Sequence, residues 1–396
     1  MDYNLVFDAE ILKLKNDNRY RVFKQINRDT CTFPVVKDDK NRDIAVWCSN
    51  DYLGLGVHKD VINAAVAANL QYGTGSGGTR NISGTNNAIS FLEDSVAKLC
   101  QKESGLVFTS GYVANVGAIS AIAKIMPKIV VFSDEKNHAS IISGIRYNNM
   151  QKHVFRHNDI KHLEELMSQY AAEVPKIIIF EGVYSMDGTM ANVPEICKIA
   201  KKYNALTYID EVHAVGIYGD RGGGIANLQN AESEIDIIQG NFAKGLGVMG
   251  GYIAGKSNIV DAIRCVSSDF IFTTSLPPAL CMAACKAIEI AMSKEGELLR
   301  IKHSDVVFKT RQALLNKGLK VLDCQTHIIP VIIGDARLAE QISNDLYNIH
   351  QIYVQHINYP TVAVGEERLR ITPTPWHTDE MITDLAEKLA SELFKK

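Results

Sequence analysis

Two charged residues, Asp210 and Lys244, follow predicted strands at separate places in the chain. Alone, Asp210 would be interpreted as a turn-capping residue and Lys244 as a solvated surface charge. As a pair they meet the needs of pyridoxal phosphate, because a lysine amine forms a Schiff base with its aldehyde and a carboxylate keeps its ring nitrogen protonated. A desolvated lysine can also serve as the base that moves a proton.

The elements that must position these residues form an alternating pattern between residues 129 and 255. Short β-branched runs, typical of strands, are separated by segments of helix length; the runs are 129–132, 176–180, 205–209, 235–238 and 251–254. This pattern predicts an α/β fold with a mostly parallel sheet buried on both faces. Ligand sites of such sheets lie beyond the carboxyl ends of the strands, so the chemistry is expected there.

The segments on either side of this pattern predict further units. Residues 1–45 are charged and lack long apolar runs, which indicates an N-terminal helix over 4–15 followed by an extended arm. Residues 46–290 are expected to form a large cofactor domain. From 291 to 396, helices alternate with strands, which predicts a small α+β domain.

The composition of the 396-residue chain excludes several classes of protein. With 46% hydrophobic and 22% charged residues, the chain is expected to fold compactly. A net charge of −3 without blocks of like charge argues against a nucleic-acid partner. The longest apolar stretches are far shorter than the roughly 20 residues of a membrane span. Residues 1–10 show no secretory pattern, so we expect a cytoplasmic protein.

Three other features suggest chemistry and are interpreted as structural. The glycine-rich segment 73–78 fits Gly-x-Gly-x-x-Gly, but a helix-like run precedes it where a dinucleotide motif needs a strand. His153 and His157 have metal-pair spacing, yet they lie in a strand-like run, and hydrogen-bonded histidines are favoured. The eight cysteines include no Cys-x-x-Cys, which favours reduced, mostly buried thiols over a metal site.

Long motifs spread over nearly the whole chain resemble those of the α-oxoamine synthase family. The matching runs are residues 19–23, 46–54, 77–85, 137–140, 183–188, 210–218, 270–278 and 368–375. The resemblance implies an aminotransferase-like fold of type I. Its large domain would contain a mostly parallel, seven-stranded sheet, and its C-terminal domain would be small and α+β.

The same resemblance implies a pyridoxal 5′-phosphate site and a role for each of its residues. Lys244 would carry the Schiff base, Asp210 would pair with the ring nitrogen, and His213 would donate to the phenolic oxygen. His138 would stack on the ring. The remaining implied cofactor contacts, several of them to the phosphate, are Ser110, Gly111, Tyr112, Ser185, Asn241, Thr273 and Thr274. Because either Thr273 or Thr274 would reach the phosphate from a second subunit, the resemblance also implies a homodimer with shared active sites.

Substrate residues are implied in the same way. Arg370 would pair with the carboxylate of glycine, since a guanidinium forms a planar fork suited to bidentate contact. Arg21 is expected to be a buried cation that selects the terminal carboxylate of succinyl-CoA. The other implied substrate residues are Asn50, Thr79, Asn81, Ile82, Ser133 and Thr361.

The implied activity is a decarboxylating condensation of glycine with succinyl-CoA, in which Lys244 removes the α-proton to give a quinonoid carbanion. Two alternatives stay open. The chain could be a sister synthase that joins glycine to another acyl-CoA, acetyl-CoA above all. It could instead be a silent structural partner of an active synthase, although Lys244, Asp210 and His213 are all retained.

Several positions depart from the family pattern. Asn86 replaces a His-containing helix start, Gly182 stands where serine is common, and Asn241 replaces a threonine expected to bind the phosphate. The segments 245–246 and 356–366 also differ. Because an asparagine amide can donate a hydrogen bond, we expect cofactor binding to survive at Asn241.

Overall fold

A computed structural model describes residues 1–395, which divide into two compact units. One unit comprises Met1–Ser49, Met186–Gly188 and the described residues from His303 onward, and the other comprises Asn50–Ser185 and Thr189–Lys302.

Within residues 1–395, none of the helices has the length and apolar character needed to cross a membrane. The helices are α1 Tyr3–Asn16, α2 Lys59–Tyr72, α3 Asn87–Leu99, α4 Gly111–Ile125, α5 Ala139–Tyr147, α6 Ile160–Met167, α7 Val193–Lys202, α8 Ile225–Leu228, α9 Ser257–Val266, α10 Ser268–Ile271, α11 Pro278–Met292, α12 Lys294–Asn316, α13 Ala336–Asn348 and α14 Asp379–Leu393. The strands are β1 Ile26–Arg28, β2 Val35–Asp38, β3 Asp43–Val46, β4 Ser104–Phe108, β5 Val130–Asp134, β6 Lys152–Phe155, β7 Lys176–Glu181, β8 Leu206–Asp210, β9 Ile237–Asn241, β10 Gly251–Gly255, β11 Ile329–Ile332, β12 Ile352–Tyr353, β13 Gln355–Ile357 and β14 Arg368–Ile371.

The larger unit is built on the predicted seven-stranded sheet, in the order β4-β10-β9-β8-β7-β5-β6. Strands β9, β8, β7, β5 and β6 are parallel, and β10 runs antiparallel to both of its neighbours. Strands β5 and β7 are buried along their whole length, which explains their continuous apolar sequence. The α/β fold with a mostly parallel sheet is therefore confirmed.

Helix α4 carries the apolar side chains that cover one face of this sheet. Its buried alanines and isoleucines pack with residues of β4, β5, β7 and β10 in one core. The helix begins at Gly111, where the Ser110 hydroxyl accepts a hydrogen bond from the N–H of Val113. This cap fixes the start of α4 beside the carboxyl end of the sheet.

The boundaries of the smaller unit differ from those predicted. Residues 1–45 were expected to form a separate arm, but β3 pairs with β12, and Trp47 is buried in a core formed with residues of the C-terminal segment. The predicted boundary at residue 290 also differs from the observed one, which lies between Lys302 and His303, inside α12. Gly188 joins this unit because the Thr326 hydroxyl donates to its carbonyl at 2.7 Å.

Two buried histidines hold the smaller unit together in their neutral form. His377 stacks on Trp47 with ring centroids 3.7 Å apart, donates from Nε2 to the Val46 carbonyl and accepts from the Thr374 N–H at Nδ1. The Nε2 of His303 lies 3.1 Å from the Pro373 carbonyl. Burial lowers the pKa of His303 to about 4 and that of His377 to about 3. A second proton is therefore disfavoured on either ring in the folded chain.

These histidines predict that the smaller unit loses stability in mild acid. Below pH 6.5 the unfolded chain binds protons that the folded chain excludes, so the unfolding free energy should fall by up to about 1.4 kcal/mol per pH unit for each histidine. Both tryptophans, Trp47 and Trp376, lie in this unit, so their fluorescence reports its urea unfolding. His377→Gln should make the pH dependence shallower between pH 6 and 4. Equal slopes in the two proteins would contradict this explanation.

Candidate active site

A cleft lies at the carboxyl ends of β7, β8 and β9. The parallel register pairs Glu181 with Asp210 and Asp210 with Gln239, so the strand ends meet at one edge. The cleft is lined by Gly111, Tyr112, Asn115, His138, Ser140, Glu181, Asp210, Val212, His213, Asn241 and Lys244. Asp210 and Lys244 are thus brought together where the strand pattern placed the chemistry.

Asp210 is a buried carboxylate whose two oxygens both accept hydrogen bonds. Asn115 Nδ2 donates to its Oδ2 at 2.7 Å, and the Val212 N–H donates to its Oδ1 at 2.9 Å. The Asn115 amide is held in turn by the Tyr208 hydroxyl, which donates to the Oδ1 of Asn115 at 2.8 Å. Both oxygens of this carboxyl group therefore have partners, and only 4% of the residue is exposed.

Lys244 belongs to a chain of hydrogen bonds that runs through His213. The Lys244 Nζ lies 2.8 Å from His213 Nε2, and His213 Nδ1 lies 2.7 Å from the Tyr52 hydroxyl. The Tyr52 hydroxyl donates to Asn50 Oδ1 at 3.2 Å. Whichever nitrogen of His213 carries the proton, the ring connects the Tyr52 hydroxyl with Lys244.

The start of α4 offers two main-chain donors to an anion. Val113 and Ala114 bond back to Ser110, whereas the N–H groups of Gly111 and Tyr112 have no partner among residues 1–395. A Cβ at Gly111 would lie only 3.1 Å from the Cβ of Asn241, so this position admits glycine and little more. The helix dipole adds a favourable field for a phosphate at this point.

His138 caps α5 at the edge of the cleft. Its Nδ1 accepts from the Ser140 N–H at 3.2 Å and lies 2.7 Å from the Ser140 hydroxyl. That hydroxyl also accepts from Asn115 Nδ2 at 2.9 Å, so it donates its proton to His138. The Asn115 amide therefore connects Asp210 with the residue expected to stack on the cofactor ring.

Other predicted residues of the larger unit do not line this cleft. Thr79 and Thr274 are bridged to one another by their main chains, and Thr273 lines a different pocket with Thr274. Asn50, Asn81, Ile82 and Thr274 are exposed in the single chain. Ser133 and Ser185 are buried. The Ser133 hydroxyl accepts from Asn137 Nδ2 at 2.8 Å, so it helps to hold the turn after β5.

Three predicted substrate residues belong to the smaller unit. Arg370 is 6% exposed and lies on β14 opposite Pro330 of β11 and Gln355 of β13. Arg21 was predicted to be a buried cation, and this is corrected by the structure: it is exposed, in a segment without regular structure. Residues 20–23 are all exposed, so this stretch of the chain does not bury the Arg21 side chain. Thr361 is also exposed.

The departures from the family pattern have local structural explanations. Asn86 is the N-cap of α3, where its Oδ1 accepts from the Ile89 N–H. A Cβ at Gly182 would lie 2.2 Å from Glu211 Oε2, so glycine leaves room for the carboxyl that holds the N–H groups of Ile225 and Ala226. Burial raises the pKa of Glu211 to about 7.

The glycine-rich segment and the two histidines make structural contacts. The glycine-rich segment follows α2, and a Cβ at Gly84 would lie 2.2 Å from the Gly78 carbonyl oxygen, which accounts for a close approach of backbone. His157 lies between Asp134 and Thr189, and His153 contacts the Tyr170 hydroxyl. Among residues 1–395, no cluster of three His, Cys, Asp or Glu side chains could hold a metal.

Comparison with known proteins places the chain in a family. The model of the aminotransferase class I and II family matches residues 42–389, and the chain belongs to that family. Its curated relatives include 5-aminolevulinate synthases. That of Rickettsia felis is 52% identical over 384 residues, covering 97% of this chain and 92% of the relative. That of Bradyrhizobium diazoefficiens is 48% identical over 392 residues, covering 98% and 95%.

A solved structure shows the same fold with a bound ligand. It is a lysine-to-alanine variant of serine palmitoyltransferase from S. paucimobilis with bound pyridoxal phosphate and myriocin. The TM-score is 0.91 at 27% identity, with 99% of this chain and 98% of that chain covered. The resemblance predicted from the motifs is confirmed by these relatives.

The cleft fits pyridoxal phosphate in three independent respects. The buried carboxylate of Asp210 suits a protonated ring nitrogen, the Lys244 amine lies next to the His213 imidazole, and two main-chain donors at a helix start suit a phosphate. Sequence reasoning missed Asn115 and Tyr52 as site residues. A buried asparagine inside the otherwise apolar α4 was the available signal for Asn115.

Asn115 gives a testable prediction about cofactor affinity. Asn115→Leu removes the donor to Asp210, and losing a hydrogen bond to a charged group costs about 1.5 to 3 kcal/mol, or roughly 10- to 100-fold in Kd. Tyr208→Phe removes the hydrogen bond that holds the Asn115 amide but keeps the amide itself, so its effect on the Kd should be smaller. Absorbance titration of the full chain with pyridoxal phosphate measures both. An unchanged Kd in Asn115→Leu would contradict the role given to this amide.

Proposed function

We propose that the chain catalyses the 5-aminolevulinate synthase reaction, in which glycine and succinyl-CoA yield 5-aminolevulinate, coenzyme A and carbon dioxide. The observation that carries the proposal is the pairing of Asp210 with Lys244 and His213 in one cleft. Relatives of that activity, about half identical over nearly their whole length, support it. Pyridoxal phosphate, when bound, supplies a ring that withdraws electrons from the substrate's α-carbon.

The residues of the cleft then hold or move protons at defined atoms. Asp210 holds the proton on the ring nitrogen, since its charge is fixed by Asn115 and Val212. His213 Nε2 lies 2.8 Å from Lys244 Nζ and would hold the lysine amine in the cleft, where the unprotonated amine would take a proton from the α-carbon of glycine. Tyr52 holds the His213 ring through Nδ1.

Substrate recognition is assigned to two arginines of the smaller unit. The buried guanidinium of Arg370 would bind the carboxylate of glycine through two parallel hydrogen bonds. Arg21 would bind the terminal carboxylate of succinyl-CoA, which acetyl-CoA lacks. A site built to pair a charge rejects an analogue that leaves this charge unpaired.

A cytoplasmic location is part of the proposal. Residues 1–395 contain eight unpaired cysteines, four of them buried. Free thiols in this number suit a reducing compartment.

An acyl-CoA panel tests substrate choice and enzyme class together. With glycine present, coenzyme A release should be fastest from succinyl-CoA, and Arg21→Leu should reduce its advantage over acetyl-CoA by about 10-fold or more. Lys244→Ala should abolish release and the absorbance of bound cofactor. Faster turnover of acetyl-CoA would indicate the sister synthase, and a chain that never binds the cofactor would indicate the silent subunit.

We also propose a homodimer whose sites are completed by the partner. Support comes from α1, which buries none of its residues, and from apolar side chains such as Phe7 and Phe23, which are 70% and 88% exposed. The exposure of Arg21, Asn81, Ile82 and Thr274 in one chain supports it as well.

Subunit mixing tests whether the sites are shared. Thr274→Asp should repel the cofactor phosphate, and Lys244→Ala lacks the amine, so each variant alone should be inactive. If Thr274 serves the neighbouring site, mixed dimers regain one intact site, and activity rises above both parents. Sedimentation of the full chain as a monomer, or mixed dimers without activity, would contradict the proposal.

A further inference from the structure

Glu181 is an acidic residue of the cleft that the proposed reaction does not use. It ends β7, is 2% exposed, and lines the cleft with Asp210, His138 and Lys244. Its Cα is the register partner of Asp210 on β8. Neighbouring parallel strands lie about 4.8 Å apart and paired residues point to the same face, so the two carboxyl groups face the cleft side by side.

One oxygen of Glu181 is buried without a partner. Its Oε1 has no hydrogen-bond partner among residues 1–395. The main-chain N–H of His138 acts on the carboxyl group in the direction that lowers its pKa.

The charges around Glu181 favour a single ionised carboxyl in the pair. Asp210 accepts two hydrogen bonds, and Oε1 of Glu181 accepts none. Burial, followed by the nearby charge of Asp210, raises the pKa of Glu181 well above its ordinary value, and Asp134 acts in the same direction. Lys244 opposes them, and the neighbouring Tyr184 phenol is itself held neutral by burial. Two adjacent buried carboxyls share one negative charge at lower cost than two.

We propose that Glu181 works as a neutral acid of the cleft: its Oε1 carries a proton, which leaves Asp210 as the charged carboxyl. The inference rests on the cofactor site of the proposed function. A neutral Glu181 presents an O–H donor to the cleft and adds no second negative charge beside the ring nitrogen. The ring would then face one counter-charge, held by Asp210.

Infrared spectroscopy of the full, cofactor-loaded chain tests the protonation state. At neutral pH, the difference spectrum between the wild type and Glu181→Gln should contain the C=O stretch of a protonated carboxylic acid. Glu165→Gln, at an exposed position, should give only the bands of an ionised carboxylate. A carboxylate signal for Glu181 would overturn the proposal.

Cofactor affinity tests the neutral state a second time. Glu181→Gln keeps a neutral side chain of the same size with a donor at its end, so its Kd for pyridoxal phosphate should match that of the wild type. A Kd raised about 10-fold or more would overturn the proposal.

Neither readout requires turnover. A failure of the acyl-CoA panel would therefore leave this inference standing, and a failure here would leave the proposed reaction standing.

Discussion

The cleft depends on one buried carboxyl group whose two oxygens both have hydrogen-bond partners. Asp210 sits at the end of a buried strand, where a polar group without a partner would be costly. The Asn115 amide and the Val212 N–H supply these partners with short hydrogen bonds. Since the Asn115 amide also reaches Ser140, and Ser140 reaches His138, the group that stabilises the charge also orients the other side of the cleft. Charge and geometry are thus set by a single side chain of α4.

The parallel register of the sheet explains why acidic groups crowd this edge. Strands β7 and β8 end in Glu181 and Asp210 at the same level, so the sheet cannot separate the two carboxyls. A protein that needs one negative charge there must neutralise the other, and the distribution of N–H donors decides which one. Asp210 receives an amide and a main-chain N–H, while one oxygen of Glu181 receives none. The asymmetry of donors, more than the residue types, distinguishes the two acids.

Much of the fold, and the positions of some of the site residues, follow from local patterns in the sequence. The buried runs of β5 and β7, the start of α4 at Gly111, and the strand-end positions of Asp210 and Lys244 are all local features. β4 was not predicted, since Ser104 and Gly105 interrupt its apolar run. Asn115 and Tyr52 reach His213 or Asp210 across more than 90 positions, and no periodicity encodes such contacts. Arg21 was misjudged because its motif does not reveal that residues 20–23 are exposed and lie outside every helix and strand.

The replacement of threonine by Asn241 shows how a main-chain site tolerates change in a side chain. The N–H groups of Gly111 and Tyr112 and the dipole of α4 are properties of the backbone, so they persist whatever residue ends β9. Asn241 packs so closely against the start of α4 that Gly111 has no room for a Cβ without displacing it. Its amide nitrogen would lie 3.3 Å from such a Cβ, which places an additional donor beside the same two N–H groups. An asparagine can therefore supply the hydrogen bond of a threonine hydroxyl, provided that residue 111 stays glycine, and the two positions are coupled through this contact.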